Sequence, residues 1–301
     1  MHTSNHASHT SDGDGPFYVV VPTHTPRHLL PTLVALGAQD TPPTGVVISC
    51  DNDGADILDV VRQASERIDD PLTILQRAKG EVGRLSQVRN NAIRHLRSRG
   101  VPGEARLLFM DGDCVLARDG VAWHHRLGRG AEMVSAYRIN LTPEQTDALS
   151  LDDLRAGRTP TPTDANRAEL ARRHRRYTRQ ALLRRFKLAK ANKPKILGGH
   201  HSVTMDLYLR LNGHDETYFG WGMEDDDFCR RAHRSGARVA IGVNQIMAFH
   251  LYHEHRSAGG WHDAQNADKY KAEGRQGLIR CERGVDNGVE QADVVVTEFG
   301  V

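Results

Sequence analysis

The sequence predicts an α/β protein with a Rossmann-like, mainly parallel sheet flanked by helices. Short uninterrupted apolar runs alternate with segments whose apolar residues recur at helical spacing, the pattern of βαβ units. Aspartates follow several of those runs directly, and ligands collect beyond the carboxyl ends of strands in such sheets. With 301 residues, 39% hydrophobic and 26% charged, the chain can bury a full core and has an ordinary globular composition.

Residues 1–15 are polar, rich in Gly, Ser and His, and are expected to form a disordered leader. The leader has no apolar run, so it does not read as a signal peptide. Phe17-Tyr18-Val19-Val20-Val21 is a buried parallel strand in prospect, broken by Pro22-Thr23-His24-Thr25-Pro26. His28 to Gly37 carries leucines at helical spacing, and Thr44 to Cys50 forms a second strand ending in Asp51-Asn52-Asp53-Gly54. A helix over Asp56 to Ile68, a strand over Leu72 to Leu75, a helix over Gly83 to Arg99 and a strand over Leu107 to Met110 continue the alternation. Asp111-Gly112-Asp113 follows at once. In extended backbone, residues two apart face the same side, so both carboxylates can meet one hard cation, Mg²⁺ or Mn²⁺.

Residues 141–166 read as loop, with Thr159-Pro160-Thr161-Pro162-Thr163 as breaker. Residues 167–195 are the most basic stretch, with Tyr177 and Ala181, then Leu182, Phe186 and Ala189, at helical spacing. That face can be solvated, or can meet an anionic acceptor, an anionic membrane or a nucleic acid. It lacks the interleaved aromatics of a single-strand binder, and no nucleic-acid partner is expected. Gly198-Gly199 precedes a short apolar segment, which suggests backbone close to a ligand.

Tyr218-Phe219-Gly220-Trp221-Gly222-Met223 then leads into Glu224-Asp225-Asp226-Asp227. Four adjacent carboxylates are costly unless water, a metal or donors take them up. Part of the answer is a helix from Asp225 to Gly236, entered with the acids at its positive end. The Trp221 indole suits the flat face of a sugar ring. Phe249-His250-Leu251-Tyr252-His253 offers neutral imidazoles as a further metal ligand. Ala264 to Leu278 reads as a helix and Asp293 to Thr297 as an edge strand, with no chemistry assigned to this tail. A net charge of +2 implies no polyanion partner by itself. The four cysteines show no CxxC spacing and read as free thiols in a reducing cytoplasm. No stretch reaches the length of a membrane span. The expectation is a cytoplasmic protein, with peripheral contact at the inner membrane face as the membrane reading of the basic segment.

Over roughly residues 17–262 the chain resembles the family 2-type glycosyltransferases of the GT-A, or nucleotide-diphospho-sugar transferase, fold. Its C-terminal half is similar to the segment shared by β-1,4-galactosyltransferases and the chondroitin polymerase type. The run from Gly220 to Phe228 with Arg231, Asp111-Gly112-Asp113, Arg89-Asn90-Asn91 and Pro22-Thr23 carry the likeness. It implies a GT-A domain over 16–262, divided into a nucleotide-binding half (about 16–140), a basic helical insertion (about 141–195) and an acceptor and catalytic half (about 196–262). A C-terminal extension would cover 263–301.

By the same resemblance, Asp113 binds a divalent metal, Mn²⁺ or Mg²⁺, and Asp111 helps hold ribose and metal. His253 is the late metal ligand, with His250 as the competing choice. Thr23, Asp51 and Arg89 lie along the nucleotide. Asp225 is the general base, with Glu224 and Trp221 contacting sugar or acceptor. Relatives commonly show Asp-Asp-Gly-Ser where this chain has Asp51-Asn52-Asp53-Gly54, so either Asp51 or Asp53 can meet the nucleobase. The implied reaction is inverting transfer from a nucleotide-sugar, with UDP favoured, to a hydroxyl on a glycan, lipid-linked or small-molecule acceptor. A sugar nucleotidyltransferase would carry a Gly-rich loop after the first strand, and Pro22 to Pro26 has no glycine. A non-enzymatic anion-binding protein would leave both acidic motifs unexplained.

Overall fold

Alternation within one apolar run decides the architecture. In β1 (Phe17–Thr23), Val19 and Val21 join one buried cluster and Val20 joins another on the opposite face, so the strand is covered on both sides. The computed structural model describes residues 15–220, 222–254, 264–290 and 293–300. After β1 come α1 (Leu29–Leu36), β2 (Gly45–Cys50), α2 (Ala55–Ser65), β3 (Leu72–Gln76), α3 (Leu85–Ser98) and β4 (Arg106–Met110), the alternation expected from the sequence. β5 (Cys114–Leu116), α4 (Gly120–Gly128), β6 (Met133–Ser135), β7 (Ile139–Asn140), α5 (Pro143–Asp147), α6 (Leu151–Arg155) and α7 (Asp164–Arg185) follow. β8 (His200–Thr204), α8 (Met205–Arg210), α9 (Glu224–Arg234), β9 (Val239–Ile241), β10 (Ala248–His250), α10 (Ala264–Gln276) and β11 (Val295–Phe299) complete the described elements.

The large sheet has the order β11-β3-β2-β1-β4-β8-β6-β9. Helices α1, α2 and α4 bury apolar residues on one face, and α3, α8 and α9 on the other. β1 to β4 pair in parallel, as do β6 and β9. β8 runs antiparallel to both β4 and β6. The chain returns from the 141–199 excursion at the end where β4 finishes, with Met110 opposite His200, so it can only enter β8 in the reverse sense. A second, three-stranded sheet, β5-β10-β7, sets His250 opposite Cys114.

The excursion is more ordered than a loop. Thr142 with Gln145 and Thr163 with Asn166 form capping boxes at α5 and α7, and Ser150 caps α6. The basic helix ends at Arg185. Leu170 and Tyr177 are its buried residues, whereas Leu182 and Phe186, expected to share an apolar face with Ala189, are exposed. The Arg184 guanidinium donates to the carbonyls of Lys190, Ala191 and Lys193, the last at 2.6 Å, and gathers residues 186–195 into a compact turn. β11 adds the expected edge strand, antiparallel to β3. No described helix is long and apolar enough to cross a membrane.

Candidate active site

The four acids at the start of α9 have four different environments. Asp227 is buried and accepts from Arg230 Nη2 and Arg231 Nε, both at 2.7 Å. Arg231 in turn donates to the carbonyls of Leu211 and Gly213, so this acid fastens α9 to the turn after α8. Asp226 accepts from Asn192 Nδ2 at 3.0 Å and pairs with Lys195 Nζ at 3.1 Å. Glu224 is buried and accepts from the Gly222 N–H at 2.9 Å; burial, and then the charge of Asp225, raise its pKa to about 7. Only Asp225 keeps substantial exposure, its side chain 27% accessible, and it pairs with Arg89 Nη1 at 2.7 Å.

The lead-in needs its glycines: φ is 73° at Gly220, 108° at Gly222 and 71° at Met223, the left-handed region that glycine enters freely. Asn266 of α10 donates to the carbonyls of Phe219 and Gly222 and holds this turn. Sequence patterning could not find that support from the tail. Trp221 lies outside the described residues.

Asp113 is the meeting point of the other motif. Its Oδ2 lies 3.3 Å from His250 Nε2 and 3.1 Å from His253 Nε2. Ligand atoms of the three residues all fall within 4.8 Å of one another. Burial works against ionisation of Asp113, but the hydrogen bond and charge of His250, with Arg138 and His253, hold it well below the usual carboxylate range. Both histidines therefore converge on Asp113, where the sequence offered them as alternatives. Asp111 stands apart from this trio, its Oδ2 taking a 2.6 Å bond from Arg138, a residue that nothing in its local sequence singles out. The second carboxylate group, Asp215, Asp227 and Glu273, already holds Lys269, Arg230 and Arg231 among its oxygens, so ion pairing accounts for it.

Gly198 and Gly199 join the two motifs. A Cβ on Gly199 would overlap the Asp111 carboxylate, and a Cβ on Gly198 would overlap that of Asp225. The paired glycines thus let one backbone segment lie against both acids. Thr23 adjoins Gly112 at the end of β1. Asp51 is buried, accepts from the Arg84 N–H at 2.9 Å and pairs with Arg77 at 3.2 Å, while Asp53 is exposed. Arg89, expected along the nucleotide, is fully buried against Asp225 and 4.0 Å from Glu224. As their shared cation it offsets the repulsion between adjacent acids.

Behind Asp225 lies a buried polar chain. Asn90 Nδ2 donates to the His214 carbonyl and Glu216 Oε1, and Asn90 Oδ1 accepts from the His214 N–H. That fixes which end of the amide is oxygen, so the Tyr208 hydroxyl donates to it at 2.8 Å. The Tyr208 oxygen must then accept from His214 Nδ1–H, 2.9 Å away. Burial drives the His214 pKa down to about 3, so the ring is neutral and Nε2 carries a lone pair. Nε2 has no hydrogen-bond partner among the described residues and stands 3.7 Å from Asp225 Oδ1. Nothing in the local sequence marked His214, because Asn90 sits on α3, far away along the chain.

The fold matches solved GT-A glycosyltransferases. A mannosyltransferase of Pyrobaculum calidifontis, solved with GDP-Man and Mn²⁺, aligns with TM-score 0.54 at 17% identity, over 87% of this chain and 65% of that one. TarS 1–349 of S. aureus aligns with TM-score 0.53 at 14% identity, over 90% of this chain and 67% of that one. Within that fold, residues 183–255 match the family model described as the N-terminal domain of galactosyltransferase. Human β-1,4-galactosyltransferase 3 is 40% identical over 67 residues, 22% of this chain and 17% of that protein. Rat β-1,4-galactosyltransferase 6 is 32% identical over 63 residues, 21% and 16% of the two chains. The chain spans less than a fifth of the length of those galactosyltransferases.

Proposed function

We propose that this chain is a metal-dependent, inverting glycosyltransferase that moves a sugar from a nucleotide-sugar, with UDP as the favoured nucleotide, to an acceptor hydroxyl. The observation that carries the reading is the Gly198-Gly199 segment lying against both Asp111 and Asp225, so that one backbone stretch adjoins an acid of each motif. Asp113, His250 and His253 form a donor set of one carboxylate and two imidazoles that fits a divalent cation. Two nitrogen donors favour Mn²⁺ over Mg²⁺. When bound, such an ion supplies Lewis-acid stabilisation of charge on a departing diphosphate.

Asp225 accepts the proton of the acceptor hydroxyl as that oxygen bonds to the anomeric carbon and the bond to the diphosphate oxygen breaks. Burial alone would raise the Asp225 pKa, but the Arg89 charge beside it overrides this and keeps the carboxylate ionised. The same pairing makes it a weak base. His214, 3.7 Å away, acts in the same direction as Arg89 and helps to keep the carboxylate ionised and ready to receive the proton. Glu224 is buried and bonded to the Gly222 N–H, so it shapes the turn around the acceptor and does not compete for its proton.

The test is Asp225→Asn. It should keep Mn²⁺-dependent nucleotide binding, read by thermal stability, and lose sugar transfer. Normal turnover in this variant would remove Asp225 from the role.

A further inference from the structure

The molecule's charge is segregated. Residues 170–205 contain eleven Arg and Lys and not one Asp or Glu, while the whole chain carries a net +2, so the remainder is net −9. Arg175, Arg176, Arg179, Arg185, Lys187 and Lys190 are exposed on the second half of α7 and the turn after it. Among these cations stand three large apolar side chains that the fold leaves in solvent: Leu182 at 53%, Phe186 at 67% and Leu188 at 72% exposure.

The turn that displays them is built. Phe186 and Leu188 N–H groups both donate to the Leu183 carbonyl, and Lys187 N–H donates to that of Arg184. Lys187 takes φ 61°, which reverses the chain so that Leu188 projects beyond the helix end. Arg184 holds the far side of the turn through three carbonyls. Leu182 and Phe186 lie one helical turn apart on a shared face. A soluble polyanion would use the cations and leave the apolar trio exposed. An anionic bilayer uses both, since phosphate headgroups attract the cations while apolar side chains enter the acyl boundary.

We propose that the α7 tip, residues 182–190, docks the protein onto an anionic lipid surface. The same segment continues to Asn192 and Lys195, which hold Asp226 on α9, and to Gly198 against Asp225. Docking therefore sets the wall of the candidate catalytic crevice beside the membrane. Resting on the glycosyltransferase reading, this favours an acceptor carried by a lipid.

The experiment is co-sedimentation of the full chain with vesicles of phosphatidylcholine alone or with one third phosphatidylglycerol. Parallel samples contain excess heparin or 0.5 M NaCl. The parent should partition at least tenfold more strongly to the anionic vesicles. Leu182→Gln with Phe186→Gln and Leu188→Gln, which keeps every charge, should lose at least tenfold of that binding with an unchanged melting temperature. Arg179→Gln with Arg185→Gln and Lys187→Gln should also lose it. No preference for anionic vesicles at low salt overturns the proposal. So does a triple apolar variant that binds like the parent, because the surface would then be a site for a soluble polyanion such as heparin. Mn²⁺-dependent nucleotide stabilisation, followed in the same samples, reports on the enzymatic reading separately.

Discussion

Asp113, two residues from the Asp111 that lies against Gly199, and Asp225, which lies against Gly198, are supported by the chain in different ways. Asp113 draws its partners from His250 and His253, brought over by a three-residue strand in a separate small sheet. Its neighbours are two imidazoles, and with Arg138 they hold it well below the usual carboxylate range. Asp225 sits at the first turn of α9, between the fully buried Arg89 and the fully buried His214. Its neighbours are a cation and an imidazole, and both hold it in its ionised form. In the proposed reaction the first acid holds charge and the second takes up a proton. The same element that presents Asp225 anchors itself through Asp227, so structural and chemical acids stand two residues apart in one run.

The strongest way to separate these roles is to change the acids one at a time. Asp225→Asn is expected to lower kcat by about 10²–10⁴-fold, the usual worth of a positioned base, with a smaller loss of stability than Asp227→Ala, because Glu224 stays within 4.0 Å of the buried Arg89. Asp227→Ala should do the reverse. Breaking its two buried ion pairs with Arg230 and Arg231 should cost about 3–5 kcal/mol of folding stability, read by chemical denaturation. If both variants lost activity and stability alike, the division of labour within the run would be wrong.

A smaller effect belongs to Glu224. Its pKa in the folded protein is about 7 against an ordinary 4.5, so the folded state binds more protons between those values. Stability is then highest below about pH 4.5 as far as this group is concerned, and declines as pH rises to about 7. Glu224→Gln should remove that decline and gain up to about 3 kcal/mol over the parent above pH 7, as measured by denaturation across pH.

The smallest effect sharpens the comparison most. His214→Phe keeps the stacking on Phe228, where the rings lie 4.4 Å apart and nearly parallel. It should leave KM unchanged and move the acid limb of the kcat profile to higher pH. The shift is upward because His214 is one of the groups that hold Asp225 below the usual carboxylate range, while Arg89 and His201 still face that carboxylate. A variant with lowered stability and an unmoved limb would make His214 structural only.

Much of the fold could be read from the sequence because buried parallel strands announce themselves as continuous apolar runs. Phe17 to Val21 and Leu107 to Met110 are of this kind, and the acids after them fall where such sheets bind ligands. The acidic run was legible too, since like charges side by side require an explanation. What escaped was support that depends on distance along the chain. Arg138 on Asp111, Asn90 and Tyr208 behind His214, and Asn266 on the Gly220–Met223 turn are ordinary polar residues until the fold places them. The β5-β10-β7 sheet escaped for another reason: strands of two or three residues are too short for any periodicity. The tip of α7 was left open, because its apolar spacing fits a solvated face as well as one that meets a partner, and the fold leaves Leu182 and Phe186 exposed.

Asp113, His250 and His253 are proposed to act as one ion site for a bound nucleotide. The most direct test is the melting temperature of the parent and of Asp113→Ala against a panel of nucleoside diphosphates, with and without Mn²⁺. A ligand at a hundred times its Kd stabilises by about 2.7 kcal/mol, or about 5 °C for a chain of this size. The account predicts a shift of that order in the parent only when one nucleotide and Mn²⁺ are both present, and none in the variant. A shift that ignores Mn²⁺, or that survives in Asp113→Ala, would contradict it.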